Sequence, residues 1–142
     1  MFDLVSQNFM LQMTDRSMTL SARRMSLIAS NLANIDTPGY RTQDFNFEDA
    51  FRTEMEKLDR QFSPGTATSS SFQYFQGSSA SVTAPQVTNP LDITSERNDG
   101  NDVHLDRETM NLAKTQEMYQ LSSNLAQNEL RTVLGAIRDA AR

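Results

Sequence analysis

The sequence predicts a mainly α protein in which two long helices, one at each end of the chain, pair antiparallel as a coiled-coil-like core. An irregular or short-strand middle joins them. Three observations carry this prediction. Residues 1–35 contain no Gly or Pro, and residues 103–142 contain no Pro and a single Gly, Gly135. Both stretches repeat apolar residues every seven positions, the spacing of a seam between helices. Residues 63–91 carry no charge and are dominated by Ser, Thr, Gln, Ala and Pro. The expected organisation is one discontinuous helical domain, 1–62 and 92–142, with 63–91 as a charge-free variable loop or small β insertion.

In the first helix the beat runs through Leu4, Leu11, Met18, Met25 and Leu32, with Ile28 and Ile35 three residues on. The early companions Gln7, Thr14 and Ser21 are polar, so the clean seam spans residues 18–35. In the last helix the beat is Leu105, Leu112, Tyr119, Ala126, Val133 and Ala140, joined by Leu130 and Ile137. Asp106 is the expected N-cap there, and Arg138 and Arg142 suit the negative end of the helix dipole. The intramolecular pair is therefore expected to rest on Met18, Met25, Ile28, Leu32 and Ile35 against Tyr119, Ala126, Leu130, Val133 and Ile137.

Each helix also carries a second apolar stripe. On the first it is Met13, Leu20 and Leu27; on the last it is Met118, Leu121 and Leu125. Leu20 lies two residues past Met18, about 200° round a helix that turns 100° per residue. Two helices in so short a chain cannot easily bury two opposed faces each. The second stripes are accordingly expected to contact neighbouring subunits, so that Leu20→Asp would leave the free chain helical but block assembly. Arg23 and Arg24 fit either a solvated face or an ion pair with the acidic 92–108 stretch of another copy.

The first helix ends at Ser30-Asn31-Leu32-Ala33-Asn34-Ile35-Asp36-Thr37-Pro38-Gly39-Tyr40. Pro38 disfavours helix at Thr37, and Pro followed by Gly is the preference of a type II turn. Residues 41–62 then form a charged stretch of 6 acids and 4 bases. An acidic approach, residues 92–108, leads into the last helix with 6 acids and 2 bases.

The turn segment resembles the signature of the flagellar basal-body rod, hook and related axial proteins, S-N-x-A-N-x-x-T-P-G-Y. Ser30, Asn31, Ala33, Asn34, Thr37, Pro38, Gly39 and Tyr40 all match it. Two further runs, Arg41 to Glu48 and Asp99-Gly100-Asn101-Asp102-Val103-His104-Leu105-Asp106-Arg107-Glu108, are similar to proximal-rod members of that family, with Ala113 and Tyr119 following at the expected spacing. The resemblance spans roughly residues 15–50 and 98–125. It implies a structural subunit of the proximal rod, exported without a cleaved signal peptide and assembled in the periplasm. Its implied partners are further copies, other rod proteins, and rotor-ring and export-gate-adjacent proteins at the rod base. A small coiled-coil adaptor or export chaperone would share the repeats without needing the turn.

Chemistry is sparse. The chain has 142 residues, a net charge of −5, no Cys and one His. The acidic balance argues against nucleic acid as a partner, since phosphate binding needs a basic patch. No apolar run approaches the roughly 20 residues of a membrane span. A calcium loop through Gly100 would put Arg97 where a ligand oxygen belongs. His104 has no second His or thiol to share a metal and reads as a turn residue. The five Gly form no phosphate cradle, and no carboxylate pair stands out. Neither an enzyme nor a cofactor is expected. The aromatics Phe72, Tyr74 and Phe75 point to a middle segment that orders on assembly.

Overall fold

A computed structural model of the chain describes residues 9–62 and 97–140, together with Val87. Leu4 and the middle segment, with the expectation that it orders on assembly, lie outside the described residues. Three helices follow in order: α1, Phe9–Ala33; α2, Phe47–Phe62; and α3, Leu105–Ala140. At 25 and 36 residues, α1 and α3 are about 37 and 54 Å long.

α2 falls in what the charge count marked only as a charged stretch. Its local reasons are plain. Asn46 Oδ1 accepts from Glu48 N at 3.1 Å and Asp49 N at 3.3 Å, an N-cap. Two acids, Glu48 and Asp49, occupy its first turn and Arg60 its last. Phe47 and Phe51, one turn apart, stack with ring centroids 6.1 Å apart. α3 begins two residues earlier than a cap at Asp106 would allow. His104 O accepts from Glu108 N at 2.9 Å, and Asp106 sits in the first turn.

α1 and α3 lie antiparallel. Asn31 bonds Glu108, and fourteen residues away along both helices, in opposite directions, Ser122 Oγ donates to Ser17 Oγ at 2.7 Å. The buried seam is small and polar: Thr14, Ser17, Ser21, Ile28 and Asn31 on α1 face Glu108, Thr115, Ser122 and Ala126 on α3. It has its own seven-residue repeats, Thr14-Ser21-Ile28 and Glu108-Thr115-Ser122. Small side chains let the two backbones approach, and the larger apolar residues are displaced to the flanks.

That displacement corrects the expected pairing residues. Ile28 and Ala126 are buried. Met18, Met25, Leu32, Ile35 and Val133 are only half-buried. Tyr119, Leu130 and Ile137 remain 39, 39 and 37% exposed, so they do not pack in the seam. Tyr119 sits about 60° round α3 from Ser122. Leu130 and Ile137 lie where α3 passes the level of Phe9, the first described residue of α1.

The expected contact stripe on α1 is corrected too. α2 packs along α1, where Arg16 and Glu54 form a buried ion pair at 3.9 Å. Leu20, one turn after Arg16, lies on this covered side and is 0% exposed. Met13 and Leu27 are half-buried. Leu20 is therefore a core residue, as are Phe45, Leu58 and Val103. A charge there would disrupt the free chain, because burying an unpaired carboxylate is costly. Met118, Leu121 and Leu125 do remain exposed.

Gly135 stands inside α3 with nothing within 4 Å of where a Cβ would sit. Gly135→Ala is expected to stabilise the free chain by about 0.5–1 kcal/mol, read from urea unfolding followed by circular dichroism.

Candidate functional site

The turn after α1 forms as its dipeptide dictates. Tyr40 N donates to Thr37 O at 3.3 Å, and Gly39 takes φ 72°. That left-handed conformation is the reason for glycine there. Asn34 stiffens the approach: its Nδ2 donates to Ser30 O at 2.8 Å and its Oδ1 accepts from Thr37 Oγ1 at 3.2 Å. Ala33 is the exposed last residue of α1, and Pro38 is exposed in the turn.

A second turn, Arg97 to Asn101, precedes α3. Gly100 N donates to Arg97 O at 2.8 Å, Arg97 N donates to Asn101 O at 2.9 Å, and Gly100 takes φ 78°. The two turns dock on each other. Gly39 N donates to Asp99 O at 3.0 Å, and Asp102 N donates to Tyr40 O at 3.4 Å. The two sequence runs that carry the family resemblance are thus brought into one place.

Four side chains tie them. The fully buried Asn101 aims its Nδ2 at three carbonyls past the end of α1: Asn34 at 3.0 Å, Ile35 at 3.0 Å and Thr37 at 2.8 Å. Asn34 O and Thr37 O also accept turn bonds from Thr37 N and Tyr40 N, and Asn101 adds a donor from 60-odd positions away. Arg97 adds Nη1 to Ile35 O at 3.1 Å. Asn31, equally buried, uses its whole amide. Nδ2 donates to Gln43 O at 2.9 Å and Glu108 Oε2 at 3.0 Å; Oδ1 accepts from Gln43 N at 3.0 Å and Tyr40 Oη at 3.2 Å. An amide offers two donors and two acceptor sites, and all are occupied. Tyr40 Oη also lies 3.3 Å from Ser30 Oγ.

Asp102 is the third tie and Thr42 the fourth. Thr42 N and Oγ1 both reach Asp102 Oδ1, the latter at 2.8 Å. Arg41 lies 3.9 Å from its Oδ2, and Arg107 donates to its backbone oxygen at 3.2 Å. Burial opposes ionisation of Asp102. The Thr42 hydrogen bonds and the charges of Arg41 and Arg107 outweigh it and hold the carboxyl below its ordinary 3.8. Outside this knot, Arg24 pairs with Asp44 of its own chain at 2.6 Å, which answers the alternatives for Arg24 with an intramolecular partner. His104 sits immediately before α3.

Among the described residues no cluster of acidic or His side chains could hold a metal, and no helix is long and apolar enough to cross a membrane. The arrangement holds two segments in register. The sequence placed Asn31 and Tyr40 in the turn but assigned no role to Thr42, Gln43, Asn101, Asp102 or Glu108. All of them fall inside or beside the runs that carry the resemblance.

A family model described as flagella basal body rod protein matches residues 16–41, most of α1 and the whole turn. Proteins named flagellar basal body rod protein FlgB match nearly the full length. That of Buchnera aphidicola (subsp. Acyrthosiphon pisum, strain APS) is 27% identical over 139 residues, 97% of this chain and 99% of the relative. That of Escherichia coli K12 is 26% identical over 129 residues, covering 90 and 92%. The chain is thus similar along nearly its whole length to flagellar basal body rod proteins. A distant relative in Borreliella burgdorferi strain B31 also carries the name FlgB, at 28% identity over 122 residues, 83 and 87% of the two chains. The segment of this chain that the family model matches is the half of the knot that ends α1.

Two predictions test the knot. Asn31→Ala takes one donor from the buried Glu108, which keeps Arg107 at 3.7 Å, and leaves the Gln43 backbone without its side-chain partner; it should lower stability by about 1–3 kcal/mol in urea unfolding. Asp102→Asn tests the charge. Because the folded chain holds this carboxyl below its unfolded value, its contribution is present above about pH 4 and disappears as pH falls through the folded value. The stability gap between wild type and Asp102→Asn should therefore be wide at pH 7 and close toward pH 2.

Proposed function

We propose that this chain is a structural subunit of the proximal part of the flagellar rod. It helps link the membrane rotor to the distal rod and transmits torque through packed helices. It is exported without a cleaved signal peptide and assembles in the periplasm with further copies, other rod proteins, and rotor-ring and export-gate-adjacent proteins at the rod base. Residues 1–62 and 92–142 act as one discontinuous domain and 63–91 as its insertion.

The observation that carries this reading is the knot. A shaft subunit must resist sliding of one helix along the other. A slip of α3 by one turn would break the Asn31–Glu108 bond and the Ser17–Ser122 bond together. It would also leave the buried carboxylate of Glu108 without its Asn31 donor. Each neutral bond nets only about 0.5–1.5 kcal/mol, but unpaired buried groups cost more, so register is held by penalty more than by gain. Full-length similarity to proteins named FlgB supports the assignment within the rod.

The test is deletion of the chain's gene and purification of basal bodies from a complemented strain. Deletion should abolish swimming and stop rod growth near the inner membrane. The complemented strain's basal bodies should contain the chain. A chain that stays in the cytosol as a stable dimer, absent from basal bodies, would overturn the proposal in favour of a chaperone.

A further inference from the structure

Among the glycines of the chain only Gly100 follows an Asp, and none follows an Asn. At such a pair the backbone itself can rearrange. The nitrogen of the second residue attacks the side-chain carboxyl carbon of the first and closes a five-membered succinimide ring. The N–H gives up its proton and the carboxyl its hydroxyl, which leave together as water. A second water then reopens the ring at either carbonyl. One opening restores Asp. The other leaves an isoaspartyl link, in which the chain runs through the side-chain carbon and the former backbone carbonyl becomes a free carboxylate. Glycine, with no Cβ, shields the attacking nitrogen least.

The fold nonetheless requires glycine here. Arg97 and Asn101 face each other across a three-residue loop, and a loop of this kind ends on a residue in the left-handed conformation. Gly100 takes that place with φ 78°. Solvent does not protect the pair, since the Asp99 side chain is 36% exposed. The peptide plane does. Asp99 O and Gly100 N belong to one planar unit, and that unit is pinned at both edges. Gly100 N donates to Arg97 O at 2.8 Å, within the loop; Asp99 O accepts from Gly39 N at 3.0 Å, from the other turn. Ring closure needs this plane to swing about the Asp99 Cα–C bond until its nitrogen faces the carboxyl carbon, which breaks both bonds. The carboxylate is engaged as well: Oδ1 accepts from Asn101 N at 3.2 Å, and Oδ2 lies 3.9 Å from Arg97 Nε.

We propose that Asp99-Gly100 is a backbone isomerisation site that the docking of the two turns keeps shut. The reaction proceeds from a chain whose turns have come apart, and its product cannot dock again in register. The new link adds a methylene between residues 99 and 100 and converts the acceptor of Gly39 N into a carboxylate. Asn101 is thereby displaced from the carbonyls of Asn34, Ile35 and Thr37. Time spent undocked is recorded as a lasting change in the backbone.

The test incubates the full chain at neutral pH, folded or in guanidinium chloride. Isoaspartate is measured by labelling with protein isoaspartyl methyltransferase and located at residue 99 by mass spectrometry of fragments. The denatured chain should accumulate it there. Asp99→Glu, whose carboxyl would have to close a six-membered ring, should remove it from that peptide. A reaction that runs only through an opened state scales with the population of that state, so the folded wild type should be slower by about tenfold or more. Asn101→Ala weakens the docking and should raise the rate several-fold in a chain that keeps its helices by circular dichroism. Thr42→Val, which removes the hydroxyl bonded to Asp102, should do the same and decides the matter if Asn101→Ala unfolds. A folded wild type as fast as the denatured chain, isoaspartate forming elsewhere instead of at residue 99, or folded variants no faster than wild type would each overturn the proposal.

Discussion

The side-chain amide of Asn31 is the contact on which the rest of the structure depends. It faces three ways at once: to the backbone of Gln43 after the turn, to Tyr40 within it, and to Glu108 on α3. Paired to both the N–H and the C=O of Gln43, it stands in for a neighbouring strand and holds the chain leaving α1 in an extended path. The bond to Glu108 then fixes where along α3 that path must lie. Asn101 does the same work from the other side, closing the end of α1 from outside the helix. Local turn and global register are set by the same two amides.

This arrangement explains how a chain with modest apolar content holds a long helix pair. The seam contributes close approach and a Ser–Ser hydrogen bond rather than interlocked aliphatics. Large apolar side chains remain for the flanks. α2 takes one flank of α1 through Arg16–Glu54 and the burial of Leu58. The face opposite stays open.

The helices, their antiparallel pairing and the Pro38-Gly39 turn were legible because their signals are local. Gly and Pro mark where helix cannot continue, and a positive φ at Gly39 follows from the turn type. α2 was hidden because its 16 residues were read as a charge count, while Phe47, Phe51, Met55 and Leu58 keep one-turn spacing beneath the charges. Leu20 reads as outward-facing for the same reason, since its cover is α2. Tyr119 was assigned inward because hydropathy says which side chains leave water but not which neighbour they meet. Thr14, Ser21, Thr115 and Ser122 carry the true repeat at low hydropathy. The knot itself left no local trace, as Asn31 and Glu108 are 77 positions apart.

The clamp between Thr42 and Asp102 has a consequence for the 59 intervening residues. Both feet of that excursion are anchored on one platform, so its contour has little leverage on how α1 meets α3. Entropy of closure grows only with the logarithm of length, about 0.6 kcal/mol for each doubling. α2 lies within that stretch and packs on α1, so it is the part beyond Phe62 that can be lengthened, trimmed or replaced at that small cost.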